Sequence, residues 1–205
     1  MAQEHYFTPE PGSELKLRPI SVTLAGVRRE LHSANGIFSP DHVDTGTQVL
    51  LANVPTPPPA GDLLDIGCGW GPIALSLALA SPDATVWAVD VNERALEITR
   101  LNAERLGLTN VNAVLPQDVP ADVRFATIWS NPPIRIGKVA LHELLLQWVP
   151  RLAADADAWL VVQRNLGSDS LHRWLQEELP ADFTVTRDAI GKGFRVLKAS
   201  RGAAE

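Results

Sequence analysis

The chain has a single cysteine, Cys68, among its 205 residues. An internal disulfide is therefore excluded, and the composition suits a reducing cytosol. Long hydrophobic runs are also missing. The longest apolar stretch, Pro72 to Ala80, is broken by Ser76 and is far too short to cross a bilayer. Met1 to Pro11 has neither a basic flank nor an apolar run, so no signal peptide and a cytoplasmic location are expected. Histidine and cysteine form no metal-ligand spacing. His142 and His172 fall within expected helices as surface or packing residues, and no metal is expected. Positive charge is in short supply. A net charge of -6 argues against a protein that coats nucleic acid nonspecifically, while leaving room for a local basic patch.

No internal repeat is visible, and low complexity is confined to Pro55-Thr56-Pro57-Pro58-Pro59-Ala60-Gly61. Those prolines cannot continue a helix and form a stiff connector. It separates a lead-in, 1–54, from an α/β body, 61–205. The lead-in is too short and too weakly apolar to bury a core alone, so one domain over 1–205 is expected. An apolar content of 45% and a charged content of 20% place the chain among soluble globular proteins.

The body alternates strand and helix signals. Leu63 to Ile66, Val86 to Val89, Phe125 to Trp129 and Trp159 to Val162 are short, nearly continuous apolar runs, as in strands covered on both faces. Val111 to Leu115 is a weaker strand. Asn92 can cap the helix that follows the second run and Gly107 can end it, with Ala95, Ile98, Leu101 and Leu106 on one side. Further helices are expected over Val139 to Leu152 and Ser168 to Leu179. Phe183 to Thr186 and Phe194 to Leu197, joined through Gly191-Lys192-Gly193, form an antiparallel pair at the sheet edge. The expected fold is a doubly wound, mostly parallel seven-stranded α/β sheet of the Rossmann-like kind, with an antiparallel C-terminal edge hairpin.

Two motifs carry chemistry. In Asp65-Ile66-Gly67-Cys68-Gly69-Trp70-Gly71 an aspartate ends a strand and glycines follow at alternate positions. Glycine permits positive φ and close approach of a ligand to the backbone, and Pro72 suits the first turn of a helix. A dinucleotide fold places its third glycine where Pro72 stands, so a nicotinamide oxidoreductase is disfavoured. Asp90 closes the next strand, where a carboxylate can accept from ribose hydroxyls. Gln117 and Asp118 follow the weak strand, at the adenine end.

The second motif is Asn131-Pro132-Pro133. Two prolines remove two backbone donors and fix φ, aiming the Pro132 carbonyl. Asn131 adds a side-chain carbonyl acceptor. Two acceptors can hold the two hydrogens of a planar amine and orient its nitrogen for in-line attack on a sulfonium methyl. Such a displacement depends mainly on placement, with no catalytic histidine or metal.

Together these motifs resemble class I S-adenosylmethionine-dependent methyltransferases of the amino-methylating kind. Gly36-Ile37-Phe38-Ser39, Asp44-Thr45-Gly46-Thr47, Asn131 to Lys138 and Gly193-Phe194-Arg195-Val196 more closely resemble the small-methyltransferase-domain family, as does the opening His5-Tyr6-Phe7. Its characterised bacterial members methylate the exocyclic amine of a guanine in small-subunit ribosomal RNA. The resemblance implies that Phe38, Ser39, Asp44 and Gly46 lie against the methionine end of the cofactor. Asp65, Gly67, Cys68, Gly69 and Gly71 form its turn, Asp90 and Val91 border the ribose, and Gln117 and Asp118 the adenine. Asn131, Pro132 and Pro133 are the expected catalytic corner, with Asn131 also beside the cofactor.

Two departures from the family pattern bear on the substrate. Many amino-methyltransferases have an aromatic after the two prolines, and here Ile134 stands there. The long ribosomal RNA enzymes carry a second, degenerate domain, and only one is expected here. The implied partner is RNA, ribosomal and within a ribosomal particle, contacted by Ile134, Arg135, Lys138, Lys192 and Arg195. Lys16, Arg18, Arg28 and Arg29 add positive charge in the lead-in. Trp70 reads as core or as a flank of the cofactor. Two alternatives remain open: methylation of a protein glutamine amide, and a non-catalytic cofactor-binding RNA chaperone.

Overall fold

The computed structural model describes residues 14–203; the His5-Tyr6-Phe7 opening lies outside them. Seven strands form one sheet in the order β5-β4-β3-β6-β7-β9-β8. They are β3 (Ala60–Ile66), β4 (Asp83–Val89), β5 (Val111–Val114), β6 (Phe125–Ser130), β7 (Leu152–Gln163), β8 (Phe183–Gly191) and β9 (Phe194–Arg201). β3 pairs in parallel with both β4 and β6, β4 with β5, and β6 with β7. β9 is antiparallel to β7 and to β8. The β8–β9 turn is Lys192-Gly193, with φ of 48° and 81°, the positive pair that a two-residue hairpin needs.

Continuous apolar runs are explained by burial on both faces. Leu63, Val86, Trp129 and Val161 pack toward α1 (Thr45–Asn53), α2 (Pro72–Ala80) and α3 (Glu93–Arg105). Leu64, Ile128, Leu160 and Val162 pack toward α4 (Lys138–Trp148) and α5 (Ser168–Glu178). Pro72 opens α2, and Asn92 Oδ1 caps α3 by accepting from Arg94 N at 3.0 Å and Ala95 N at 3.4 Å. Gly107, at φ 68°, follows its end. The buried face of α3 includes the polar Asn102 rather than Leu101. α4 stops at Trp148, short of the expected Leu152. Pro150, which has no amide hydrogen, falls in a 3₁₀ turn over Val149–Arg151, and Leu152 already begins β7.

The lead-in holds more order than its composition suggested. β1 (Leu17–Leu24) and β2 (Val27–Ala34) form a hairpin across Ala25-Gly26. Ile20, Val22 and Leu24 alternate inward and share a buried cluster with Trp70, Leu75, Ala95 and Ile98. Asn102 holds the hairpin to α3. Its Oδ1 accepts from His32 N at 2.8 Å, and its Nδ2 donates to His32 O at 2.8 Å and Trp70 O at 3.0 Å.

Candidate functional site

The strand order reverses between β3 and β6, which opens a crevice beyond their carboxyl ends. Ser130 Oγ donates to Ile66 O at 2.7 Å and ties the two strand ends together there. The glycine turn forms the floor. Gly67 N and Cys68 N donate to Val89 O at 2.8 and 3.0 Å, so the turn is bonded to the end of β4. Gly69 sits at φ 58° with no atom within 4 Å of where a Cβ would stand. That open face admits a ligand against the backbone. Gly71, at φ 97°, is closed instead by Thr99 and Leu75, and it lets α2 begin directly after the turn.

Two acids flank the turn with different roles. Asp90 accepts from Gly69 N at 3.0 Å and from Asn92 N at 2.9 Å. Burial raises its pKa, and these backbone donors pull against that. Asp90 and the exposed Val91 both line the cleft. Asp65 is fully buried below it and accepts from Ala74 N at 3.0 Å, so it pins α2 to β3. Cys68 is also buried, with its thiol 3.7 Å from Thr99 Oγ1. Burial pushes this thiol up, away from the reactive thiolate form.

The Asn131-Pro132-Pro133 corner closes the opposite wall. Pro133 has φ -75° and ψ 77°, and Ile134 N donates to Pro132 O at 2.8 Å. This is an inverse γ-turn. It uses one lone pair of the Pro132 carbonyl and leaves the second. Asn131 Nδ2 donates to Asp44 Oδ2 at 2.9 Å and to Thr47 Oγ1 at 3.1 Å. With its nitrogen held from that side, the amide has its carbonyl oxygen left for a donor. Asp44 Oδ2 also accepts from Gly46 N at 2.7 Å and caps α1.

The resulting cleft has a volume of about 270 Å³. Phe38, Asp44, Gly67, Gly69, Asp90, Val91, Asn131, Pro132, Pro133, Ile134 and Arg135 line it together. Ser39, Cys68 and Thr47 line a small recess behind Asp44. Apolar Ile37, Val89, Val91 and Pro116 beside the Asp90 carboxylate fit a nucleoside, and the bare Gly69 backbone fits the chain that joins it to a sulfonium. These residues suit the cofactor that the resemblance implies.

Several expected residues stand elsewhere. Pro116 forms the cleft wall, while Gln117 and Asp118 are exposed beyond it in a 3₁₀ turn. Gly46 is covered by the Phe194 ring, so it shapes the wall from behind. Trp70 is core, the first of its two readings: it is buried under the β1–β2 hairpin, borders the small recess, and donates from Nε1 to Ser39 O at 3.1 Å. Arg195 is not a rim cation. Its position opposite Val162 turns it toward the α4–α5 layer, where it is buried and bonded to Asp169. Arg135, Lys138 and Lys192 are exposed. In the lead-in, Arg18 pairs with Asp41 and Arg28 with Glu30.

Gln163, Leu144 and Leu166 line the cleft with nothing in the sequence to single them out, and Thr47 and Phe194 stand in the sequence only as members of family-like motifs with no role of their own. Gln163 and Phe194 are cross-strand partners and both line the cleft. No local motif marks Gln163, because only strand register sets it beside Phe194. Phe194 does follow Gly193 in the edge hairpin, and it is one of two aromatics in the lining, with Phe38.

The sequence profile described as "Methyltransferase small domain" matches residues 28–198. The chain is 36% identical over 201 residues to the uncharacterized protein YbxB of Bacillus subtilis (strain 168), which covers 97% of this chain and 98% of that one. It is 39% identical over 132 residues to the ribosomal RNA small subunit methyltransferase C of Shewanella sp. (strain MR-4). That match covers 62% of this chain and only 37% of the relative. Among solved structures, the 16S rRNA N2 methyltransferase RsmC of T. thermophilus, in complex with AdoMet and guanosine, superposes with a TM-score of 0.77 at 23% identity. The superposition covers 93% of this chain and 52% of that one, and at this identity the likeness is one of fold.

Proposed function

The chain belongs to the methyltransferase small domain family and uses S-adenosylmethionine as its methyl donor, and from that premise we propose that it methylates the exocyclic N2 amine of a guanine in ribosomal RNA. The observation that carries this reading is the Asn131 amide on the cleft wall with Pro132, its nitrogen taken by Asp44 and Thr47 and its carbonyl oxygen left for a donor. Bound S-adenosylmethionine supplies an electrophilic methyl group. Asn131 Oδ1 and the free lone pair of Pro132 O each accept one N–H of the amine. The nitrogen is thereby turned so that its lone pair, otherwise delocalised into the base, points along the line of transfer. Placement of this kind supplies much of the rate in a displacement reaction.

A base must leave its stack to reach such a corner, at a cost of about a few kcal/mol. Phe194 and Ile134 offset part of this. Many amino-methyltransferases have an aromatic after the two prolines; in this reading Phe194 of β9, which lines the same cleft as Ile134, supplies a ring in its place. Gln163, with no side-chain hydrogen bond among the described residues, is free to meet the polar edge of the base. Arg135 stands at the mouth for a phosphate. The named rRNA methyltransferase relative is longer than this chain, and its substrate supports the RNA assignment by kinship. We further propose that residues 1–205 work as one catalytic domain in the cytoplasm, acting on a ribosomal particle that presents the base.

The test is labelled-methyl transfer to naked ribosomal RNA, to small ribosomal subunits and to a protein panel, followed by nucleoside mass spectrometry. N2-methylguanosine in the subunits is the expected product, and Asn131→Ala lowers it by more than about tenfold. Incorporation confined to a protein glutamine would overturn the RNA reading.

A further inference from the structure

We propose that Asp44 is a positioning residue for methyl transfer: by holding the Asn131 amide nitrogen, it fixes which end of that amide faces the acceptor. The inference rests on the amine methylation proposed above and assigns Asp44 a task different from the cofactor contact that family resemblance implies. A side-chain amide has two nearly isosteric ends, one accepting and one donating. Only the carbonyl end can hold an amine hydrogen, so a rotated Asn131 would point N–H groups at the N–H groups of its substrate.

The structure removes that ambiguity. Asn131 Nδ2 has two acceptors within hydrogen-bond distance, Asp44 Oδ2 at 2.9 Å and Thr47 Oγ1 at 3.1 Å. A carboxylate has only acceptor oxygens. Rotating the amide would set its oxygen against the Asp44 oxygen and lose a charge-assisted bond. Asp44 is itself held, because the same oxygen accepts from Gly46 N at 2.7 Å at the start of α1. A Cβ at Gly46 would stand 2.9 Å from Asp44 Oδ2 and 2.9 Å from the Phe194 ring, so the seat has no slack. Thr47, only 3% exposed, completes it. Helix α1, in the lead-in, thus acts on the reacting geometry of a corner that belongs to β6. The arrangement costs no reorganisation at the moment of transfer, which is how preorganised polar groups contribute to rate.

The experiment compares Asp44→Ser, Asp44→Asn, Asn131→Ala and the Asp44→Ser/Asn131→Ala double variant in the full chain. Serine still caps a helix but is too short to reach Asn131, so α1 keeps its start while the clamp is lost. Asparagine keeps an oxygen able to accept from both Gly46 and Asn131. Single-turnover methyl transfer is expected to fall about tenfold or more in Asp44→Ser, with the S-adenosylmethionine Kd within about twofold of wild type. Asp44→Asn recovers most of that loss. The double variant is no slower than Asn131→Ala alone, because residues acting through one another are not additive.

A Kd that rises in both Asp44 variants, with a wild-type rate at saturating cofactor, would overturn the proposal and make Asp44 a cofactor contact. Additive losses in the double variant would overturn it as well. Rates are read on whichever acceptor the wild type methylates, since a protein amide needs the same orientation. A readout independent of activity is the side-chain NH₂ resonance pair of Asn131, identified by its loss in Asn131→Ala. It shifts in Asp44→Ser if the clamp exists. An unmoved pair refutes the clamp even if no acceptor is found, whereas an inactive wild type with a shifted pair refutes only the catalytic reading.

Discussion

Asp65 is a carboxylic acid placed where water does not reach. One of its oxygens accepts from Ala74 N, and the other has no partner among the described residues. Burial raises its pKa well above the ordinary value, the Ala74 bond opposes this, and the nearby Asp90 charge adds to it. A carboxyl whose pKa is higher in the folded than in the unfolded chain binds its proton more tightly when folded. Its contribution to stability is therefore present at low pH and is lost as pH rises from about 4 toward the folded pKa. Asp65→Asn keeps an oxygen for Ala74 N and never ionises. The difference in Tm, variant minus wild type, should grow more positive as pH rises above about 4. Thermal melts across pH 4 to 8 check this. A difference that stays flat would mean that burial does not shift this group. The aspartate was legible in the sequence as part of a cofactor motif. Its structural task was not, because the nine-residue reach to α2 depends on the turn between them.

At the level of elements, strands and helices of the body were readable because the local pattern reflects what surrounds them. A strand buried on both faces is apolar throughout, and β3, β4, β6 and the inner half of β7 read that way. The β1–β2 hairpin was missed. Its inward alternation, Ile20, Val22 and Leu24, is short, with Ser21 and Thr23 between, and depends on α2 and α3 for cover. Asn102 shows the same limit, since a polar residue on a helix reads as a solvent-facing position until the strand it bonds is known. In Asn102→Ala the backbone N–H and C=O of His32 lose their partner, for a cost of about 2 kcal/mol or more. Urea denaturation checks the loss. A reduced m-value would add that the hairpin has come away in the folded state. A midpoint equal to that of wild type would show that Asn102 does not hold the hairpin.

For the molecule as a whole, the net charge of -6 sets how an RNA is met. With Arg195 committed to Asp169, the exposed cations on segments that border the cleft include Arg135, Lys138, Lys192 on the β8–β9 turn, and Arg164 between the cleft-lining Gln163 and Leu166. On the proposed reading, about three phosphate contacts give a slope of roughly -2 in log K against log salt for a single strand. Arg135→Glu should lower RNA methylation several-fold and flatten that slope while cofactor affinity holds. Filter binding at a series of salt concentrations measures it. An unchanged slope would place the phosphates on another surface. The glycine turn and the Asn-Pro-Pro corner were legible because each is contiguous in sequence. Gln163 was not legible, and the tasks of Thr47 and Phe194 were not legible from the motifs that contain them, because strand register and helix docking join these residues to the site.

The place of β9 has a consequence for how the protein is made. It is later in the chain than β7 and β8, yet it lies between them. A nascent chain that has reached β8 has no strand to bridge β7 and β8, and the edge of β7 stays open with unpaired backbone groups. Only when β9 emerges does the sheet close and Phe194 swing against Gly46. Until then the methyl-transfer cleft lacks one wall. Synthesis thus keeps the unfinished chain silent and, for the same interval, dependent on whatever shields exposed strand edges in the cell.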